Sequence, residues 1–189
     1  MLFVQFLISR QCSGSRGRKS EHGIYLDRDL KLDKQHLTDT NENWCILPMQ
    51  LMHLHAVTSI ERLVSPGPWN LRQFRDSLKD HNGNVLLVGE YVRGFAIYTV
   101  GIEHADLLNI GLEPSFQGQG FGRLLLKSMI WQMPAEIKKI MLEVRVTNWR
   151  AIRFYKTMGF KKIDLRKDYY SNSKEQTSES ALVMLRLLP

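Results

Sequence analysis

A glycine-rich segment is the part of the sequence best suited to bind an anion. The segment is Gln117-Gly118-Gln119-Gly120-Phe121-Gly122. It lies between a predicted strand and a predicted amphipathic helix, and Arg123 and Lys127 follow it. Glycines let the backbone approach a ligand closely, and the free amide groups at the start of a helix bind anions. The segment therefore predicts a pyrophosphate site, to which Arg123 or Lys127 adds positive charge.

Two better-known phosphate-binding motifs do not match this segment. The Gly-Lys-Ser/Thr ending of a Walker loop is missing, and the spacing is too compressed for the Gly-x-Gly-x-x-Gly of a dinucleotide-binding fold. Three consecutive predicted strands also precede the segment, whereas the dinucleotide motif follows a first strand. A glycine-rich turn alone is equally consistent with a structural role, so the surrounding sequence has to decide.

Two residues further along the chain could move protons. Glu143 interrupts the polar side of an alternating strand beside Arg145, so its carboxylate suits either a general base or a structural ion pair. Tyr155 follows in the next predicted helix, seven residues after Asn148. Its phenol suits either a proton donor or a core tyrosine whose hydroxyl is hydrogen-bonded.

Metal and thiol chemistry are not indicated. Cys12 and Cys45 are the only cysteines, and their wide separation indicates neither a disulfide framework nor a zinc site. His53 and His55 are two residues apart, which puts them on different faces of a helix. We therefore expect no metal site, and a reduced protein of the cytoplasm.

Composition and charge limit the class of protein. With 189 residues, 43% hydrophobic and 24% charged, the chain suits one globular domain with some surplus at an end. No apolar run approaches the roughly 20 residues of a membrane helix. The net charge of +7 favours a polyanionic partner, which leaves nucleic acid, anionic lipid and a phosphorylated cofactor open.

Residues 1–40 are predicted to be an N-terminal extension outside the domain, which we place at 41–189. The extension has no sustained periodicity, and its first twenty residues contain four basic side chains and no acidic one. That composition is typical of a mitochondrial presequence. A disordered or over-extended terminus without function is the preferred interpretation.

After the extension, strands and helices alternate in a way that predicts an α/β domain with a largely covered sheet. Asn70 with Gln73 predicts the start of a short helix, Asn148 predicts the start of another, and Gly159 its end. The predicted strands are Trp44–Met49, Val85–Glu90, Phe95–Val100, Leu107–Leu112, Lys138–Val146, Phe160–Leu165 and Ala181–Leu187. The longer predicted helices are Leu51–Val64, Gly120–Met133 and Trp149–Met158.

Three segments in this context resemble the GNAT superfamily of N-acetyltransferases. Gln117-x-x-Gly120-x-Gly122, after Asn109–Pro114, is similar to the acetyl-coenzyme A loop of that family. The later segments Leu142–Asn148 and Ala151–Phe160 resemble the second half of its core. The resemblance implies a mixed, mostly antiparallel central sheet, splayed between its fourth and fifth strands and flanked by helices.

Further motifs resemble the RimI-type ribosomal-protein-alanine N-acetyltransferases within that superfamily. They are Pro68-Trp69, Arg166-x-x-Tyr169-Tyr170 and Ala181-Leu182-Val183-Met184, and the similarity runs from about Asn43 to Leu187. The resemblance implies transfer of acetyl from acetyl-coenzyme A to a protein N-terminal amine. The implied acceptor is the N-terminal alanine of the eighteenth protein of the small ribosomal subunit.

The resemblance also implies how acetyl-coenzyme A is bound. The pyrophosphate would lie on the amides of the glycine-rich segment, and the pantetheine arm between the strands of Ile110 and Glu143. A backbone amide near Leu112 would polarise the thioester carbonyl, and Asn148 would contact the arm as well as cap its helix. The implied cofactor-binding residues are Ile110, Leu112, Gln117, Gly118, Gln119, Gly120, Phe121, Gly122, Arg123 and Asn148.

By the same resemblance, Glu143 is the general base and Tyr155 the general acid of a direct transfer in a ternary complex. An α-amino group has a pKa of about 7.7 to 8.0, so a carboxylate acting directly or through water can deprotonate it. A phenol can protonate the departing thiolate. No acyl-enzyme is expected, because neither cysteine lies in a motif.

The resemblance also implies that three aromatic residues in loops flank the acceptor amine. These are Trp69, Tyr169 and Tyr170, and packing roles are an open alternative for all three. One departure from the family concerns the segment before its last strand, which usually carries an acidic pair. Here it is Glu179-Ser180, which puts a preference for a basic second residue of the substrate in doubt.

Other functions remain open at this point. The acceptor could instead be a lysine or a small-molecule amine, although a cationic surface repels a polycation. A non-catalytic coenzyme A binding module is a third possibility, against which the presence of both Glu143 and Tyr155 speaks. No nucleic-acid recognition signature is present, so direct nucleic-acid readout is not expected. The sequence leaves the oligomeric state open.

Overall fold

The computed structural model describes residues 44–172 and 177–189. The predicted N-terminal extension, residues 1–40, lies outside the described residues. The described chain forms two compact units. The first contains the described residues up to Ile97 together with Asn109–Gln132, and the second contains Tyr98–Leu108 and Met133–Pro189. Over these described ranges, no helix is both long and apolar enough to cross a membrane.

The observed elements follow the predicted order of strands and helices. The strands are β1 Trp44–Pro48, β2 Asn82–Val88, β3 Tyr91–Val100, β4 His104–Leu112, β5 Lys139–Arg145, β6 Lys161–Asn172 and β7 Thr177–Leu187. The helices are α1 Leu54–Val64, α2 Leu71–Asp80, α3 Phe121–Gln132 and α4 Trp149–Thr157. Short 3-10 turns at Leu51–His53 and Pro114–Phe116 precede α1 and α3.

The described strands form a seven-stranded mixed sheet with the order β1-β2-β3-β4-β5-β7-β6. β4 and β5 are parallel, with pairs from His104↔Lys139 to Leu107↔Leu142. Within the described strands this pairing ends at Leu107, although β4 continues to Leu112 and β5 to Arg145. The predicted mixed sheet is therefore confirmed, and its fourth and fifth strands are parallel and pair over only part of their length.

The first unit has helices packed against both faces of its strands. On β2, Val85 and Leu87 belong to a buried cluster with residues of α1 and α2, whereas Leu86 and Val88 belong to a cluster with α3. This division follows from the alternation of side chains along a strand. The predicted capping box of α2 is confirmed, because the Asn70 and Gln73 side chains each accept the other residue's backbone N–H.

The second unit follows the predicted alternation of β5 and the predicted ends of α4. Ile140, Leu142 and Val144 are buried on one face of β5. The side chain of Asn148 accepts a hydrogen bond from the Ala151 amide at the start of α4. Gly159 follows the helix with φ 85°, the left-handed conformation that glycine adopts at low cost.

The last two strands are longer than predicted. The sequence predicted strands at Phe160–Leu165 and Ala181–Leu187, but β6 continues to Asn172 and β7 begins at Thr177. Residues 166–169 of the added part are exposed, and the segment is charged and aromatic, so it lacks the apolar alternation from which strands are predicted. Tyr169 and Tyr170 therefore lie in strand β6, and their predicted placement in a loop was wrong.

Candidate active site

The predicted phosphate-binding segment forms a tight turn into α3 in the first unit. Gly118 and Gly120 have φ values of 78° and 87°, which a residue with a side chain rarely adopts. A Cβ built on Gly118 would have no neighbour within 4 Å, so the backbone there faces open space. The first amide groups of α3 have no partners within the helix and follow directly. The local geometry fits a pyrophosphate.

The two glutamines of this segment hold its shape. Gln117 donates from Nε2 to the carbonyl oxygen of Leu112 at 3.0 Å, and Gln119 donates from Nε2 to that of Ser115 at 2.6 Å. Phe121 is 1% exposed and anchors the start of α3, whereas Arg123 is exposed. The glycines and the amides are thus the candidate ligand-binding groups, and the side chains of Gln117, Gln119 and Phe121 position them.

The end of β4 is closely packed. Ile110 and Leu112 are partly buried against the cluster that includes α3. Between them, a Cβ on Gly111 would lie 2.6 Å from the ring of Phe95. This residue has to be glycine for the strand and the Phe95 ring to lie so close together. The backbone of Ile110–Leu112 is therefore closely packed on both sides of Gly111.

Glu143 in the second unit is engaged by two side chains of β6. Nη1 of Arg166 lies 2.5 Å from its Oε1, and the side chains of Glu143 and Arg166 are 24% and 49% exposed. The hydroxyl of Tyr169 donates a hydrogen bond to the same carboxylate. This bond, partial burial and the negative charge of Glu143 raise the pKa of Tyr169, while Arg166 opposes the rise.

Strand β7 lies between the strands that carry Glu143 and Arg166. Glu143 pairs with Val183 on β7, and Arg166 pairs with Ala181, so both side chains lie on one face of the sheet. The pairing then jumps from Arg166↔Ala181 to Tyr170↔Glu179, which marks a bulge in β6. Asp168 within the bulge has φ 52°. The bulge changes the alternation of side chains between the two faces of β6. As a result, the Tyr169 hydroxyl reaches Glu143.

Tyr155 is buried, at 7% exposure, on α4. Its ring centroid lies 5.4 Å from that of Phe154 and 5.7 Å from that of Phe160. Burial raises the pKa of Tyr155 well above its ordinary value of 10, with a smaller contribution from Tyr170. The phenol therefore keeps its proton throughout the neutral range, as a proton donor must.

Tyr170 connects these groups. The guanidinium of Arg145 lies 4.0 Å from the centre of its ring, and the Tyr169 ring stands nearly perpendicular to it at 5.0 Å. Burial and the negative charge of Glu143 raise the pKa of Tyr170, whereas Arg145 lowers it. In the second unit, Tyr170 thus interacts electrostatically with Glu143, with Tyr155 and with Tyr169.

Glu179 is occupied by its own partners. Its Oε2 lies 2.8 Å from Nη1 of Arg145, and its Oε1 accepts hydrogen bonds from the backbone and hydroxyl of Thr147 at 3.1 and 2.5 Å. Partial burial opposes ionisation, but the hydrogen bonds from Thr147 and Arg145 outweigh it and lower the pKa of Glu179. Arg145, which the sequence suggested as an ion-pair partner of Glu143, therefore pairs with Glu179 instead.

Trp69 lies in the connection between α1 and α2 of the first unit. Its backbone N–H donates to Oε1 of Glu61 at 3.1 Å, and its ring lies 5.4 Å from that of Phe74. Trp69 is partly buried against the α1–α2 core. Its packing role is thus seen directly, and its role in acceptor binding stays a prediction.

Sequence reasoning missed one residue in each unit. Arg166 was used only as part of a motif, and its contact with Glu143 spans a strand and could not be derived from spacing. Glu61 is 2% exposed and was not singled out, because an acid on a helix is normally taken as solvated. Its position one turn before the Ser65-Pro66-Gly67-Pro68 segment was the one available signal.

Comparison with known proteins places the chain in a family. Residues 51–160 match the model of the acetyltransferase (GNAT) family. The ribosomal protein bS18-alanine N-acetyltransferase of Haemophilus influenzae is 34% identical over 128 residues, which are 66% of this chain and 86% of that protein. The enzyme of the same name from Salmonella typhimurium is 32% identical over 133 residues, 69% of this chain and 88% of that protein.

A solved structure agrees with the sequence comparison. The crystal structure of the ribosomal-protein-S18-alanine N-acetyltransferase from Escherichia coli superposes with a TM-score of 0.69 at 29% identity. The match covers 76% of this chain and 93% of that one. The family match, the similar relatives and the shared fold show that the chain belongs to the GNAT family of acetyltransferases.

Proposed function

We propose that this protein transfers an acetyl group to the N-terminal α-amine of a protein, and that its acceptor is the N-terminal alanine of ribosomal protein bS18. The observation that carries the proposal is the similarity to bS18-alanine N-acetyltransferases, 30 to 34% identical over most of their length. The shared region includes the glycine-rich turn, Glu143 and Tyr155. A cytoplasmic location agrees with this acceptor.

Acetyl-coenzyme A is the acetyl donor of GNAT enzymes and supplies the thioester when bound. The amides of Gln117–Gly122 would hold its pyrophosphate, and Arg123 would add charge at the start of α3. Ile110 and Leu112 lie at a closely packed strand end, and the Leu112 amide would donate to the thioester carbonyl oxygen. Asn148 would bind through its side-chain amide group, since its oxygen caps α4.

Glu143 is the proposed general base. At neutral pH a substantial part of an α-amine, with a pKa of about 7.7 to 8.0, still carries the proton that it must lose. The carboxylate of Glu143 would take that proton directly or through water. Nη1 of Arg166 lies 2.5 Å from Oε1 of the same carboxylate and would hold it in place for this step.

Tyr155 is the proposed general acid. Its phenol oxygen holds a proton that burial keeps in place across the working pH range. The phenol would donate a hydrogen bond, and finally the proton, to the departing sulfur. No cysteine is needed, because the amine attacks the thioester directly.

Three aromatic residues are proposed to contact the acceptor. Tyr169 is the most accessible, at 45% exposure, and its hydroxyl already bonds to Glu143. Tyr170 and Trp69 are more deeply packed and would contribute ring surface. Because Glu179 is fully engaged by Arg145 and Thr147, it is not expected to select a basic second residue.

The acceptor is tested with two peptides and acetyl-coenzyme A. One carries the free bS18 N-terminus of the source organism, and the other carries the same sequence with a blocked N-terminus and an internal lysine. We expect acetylation of the free peptide only. Acetylation of the blocked peptide would show that the acceptor is a lysine side chain. Binding of coenzyme A without acetylation of either peptide would support a non-catalytic binding module.

A further inference from the structure

An ion pair outside the proposed chemistry joins β3 to the segment after β4. Nη1 of Arg93 lies 2.7 Å from Oε2 of Glu113. The backbone connects the same two residues, because the N–H of Glu113 donates to the carbonyl oxygen of Arg93 at 2.8 Å. Two residues twenty positions apart are thus joined through both main chain and side chains.

The pair is shielded and held from several sides. The Arg93 and Glu113 side chains are 29% and 27% exposed, far less than a solvent-exposed ion pair. The guanidinium lies 5.1 Å from the ring centre of Tyr91 and 5.0 Å from that of Phe116. The other carboxylate oxygen of Glu113 accepts from the hydroxyl of Ser115 at 3.0 Å. The hydrogen bond from Arg93 is the main cause that lowers the pKa of Glu113.

Glu113 is also the anchor of the turn that leads into the glycine-rich segment. The N–H of Phe116 donates to the carbonyl oxygen of Glu113 at 2.9 Å and closes the 3-10 turn. The Phe116 ring lies 5.8 Å from that of Phe121, the first residue of α3. A continuous series of contacts therefore runs from Arg93 to the start of α3. It consists of the ion pair with Glu113, the 3-10 turn and the contact between the Phe116 and Phe121 rings.

We propose that Arg93 and Glu113 are positioning residues for coenzyme A, which fix the Pro114–Phe116 turn and thereby the amides of the glycine-rich segment. The inference rests on the proposed function. Neither side chain has to touch the ligand. A turn that is ordered before binding does not lose conformational freedom when the pyrophosphate arrives, so affinity depends on the ion pair that orders it.

The proposal is tested by direct binding of free coenzyme A to the full chain, which requires no acceptor. The variants are Arg93→Gln, Glu113→Gln and the double variant. The matched control is Arg72→Gln, which removes an exposed guanidinium paired with Asp76 on α2. We expect each single variant to bind about tenfold more weakly, the double variant no more weakly than the singles, and the control to bind within twofold of the parent.

Acetyl-transfer kinetics separate positioning from general destabilisation. We expect the KM for acetyl-coenzyme A to rise about tenfold, with kcat at saturation within twofold of the parent. A loss of kcat with an unchanged KM would overturn the inference, because it indicates less folded enzyme. Arg93→Lys, which keeps the charge and loses the planar fork, should give an intermediate affinity and serves if Arg93→Gln does not fold.

Two further outcomes are distinguishable. If the parent binds coenzyme A and the Arg93 and Glu113 variants bind equally well, the inference fails and the proposed function stands. If the parent does not bind coenzyme A, the proposed function fails and the inference falls with it.

Discussion

Arg166 and Glu143 form an ion pair across strand β7, with Nη1 of the arginine 2.5 Å from Oε1 of the carboxylate. The small side chain of Ala181, opposite Arg166, lies on the face that the pair crosses. Tyr169 adds a hydrogen bond to the same carboxylate. The proposed base is therefore oriented by two β6 residues before any substrate arrives, which is the arrangement that general base catalysis requires.

Replacing Tyr169 with phenylalanine tests this orientation. The variant keeps the ring contact with Tyr170 and removes the hydroxyl that donates to Glu143. We expect kcat/KM for the acceptor peptide to fall about tenfold, the effect of one hydrogen bond to a charged group. Coenzyme A affinity should not change. An unchanged kcat/KM would show that this hydrogen bond does not serve the reaction.

Tyr155 makes stability depend on pH in the alkaline range. Its pKa is raised in the folded protein, whereas in the unfolded chain it is about 10. Above pH 10 the unfolded state loses this proton while the folded state keeps it, so the contribution to stability is complete below pH 10 and lost as pH rises further.

Urea unfolding between pH 8 and 11 measures this linkage. The free energy of unfolding of the parent should fall more steeply than that of Tyr155→Phe, by up to about 1.4 kcal/mol per pH unit above pH 10. Parallel curves for the two proteins would mean that the phenol ionises equally in the folded and unfolded chains.

Two glycines near the proposed cofactor site should respond differently to alanine. A Cβ on Gly111 would lie 2.6 Å from the Phe95 ring, so Gly111→Ala should destabilise the fold by about 1 to 3 kcal/mol through overpacking. A Cβ on Gly118 would meet no atom within 4 Å. Gly118→Ala should therefore lower the free energy of unfolding only through the strain of positive φ, by about 1 to 2 kcal/mol.

Coenzyme A binding distinguishes the two glycine variants further. Gly118→Ala places a methyl group where the ligand is proposed to approach, so affinity should fall about tenfold or more in protein that is fully folded. Thermal unfolding and calorimetric titration provide the two readouts. If Gly118→Ala binds coenzyme A as tightly as the parent, the pyrophosphate does not bind at this turn.

The partners of Glu179 predict how strongly the enzyme selects the second residue of the acceptor. Its carboxylate is already bound by Arg145 and Thr147. Peptides beginning Ala-Arg and Ala-Gln should therefore have kcat/KM values within about threefold of each other, since a free carboxylate would give about tenfold or more. A strong preference for Ala-Arg that disappears in Glu179→Gln would contradict this view.

Much of the fold could be predicted because it depends on local signals. The capping box of Asn70 and Gln73, the alternation of β5 and the glycine that ends α4 are each encoded within a few residues. The glycine-rich turn was recognisable for the same reason, since its positive φ values require glycine.

The rest depends on contacts between distant residues. The bulge in β6 brings Tyr169 to Glu143, and no local pattern marks it, because the strand is exposed and charged. The pairing of Arg145 with Glu179 joins residues 34 positions apart, so spacing alone suggested Glu143 as the partner of Arg145. Sheet register decides such contacts, and register emerges only when the strands are assembled.

The most direct test of the account is the intact mass of a bS18 N-terminal peptide after incubation with acetyl-coenzyme A and either the parent or Glu143→Gln. The amide keeps the size of the side chain and cannot accept the proton. We predict a single added acetyl with the parent and a rate lower by about 10² to 10⁴-fold with Glu143→Gln, at unchanged coenzyme A affinity. Equal rates for the two proteins would contradict the assignment of Glu143 as the base, and no acetylation by the parent would contradict the proposed acceptor.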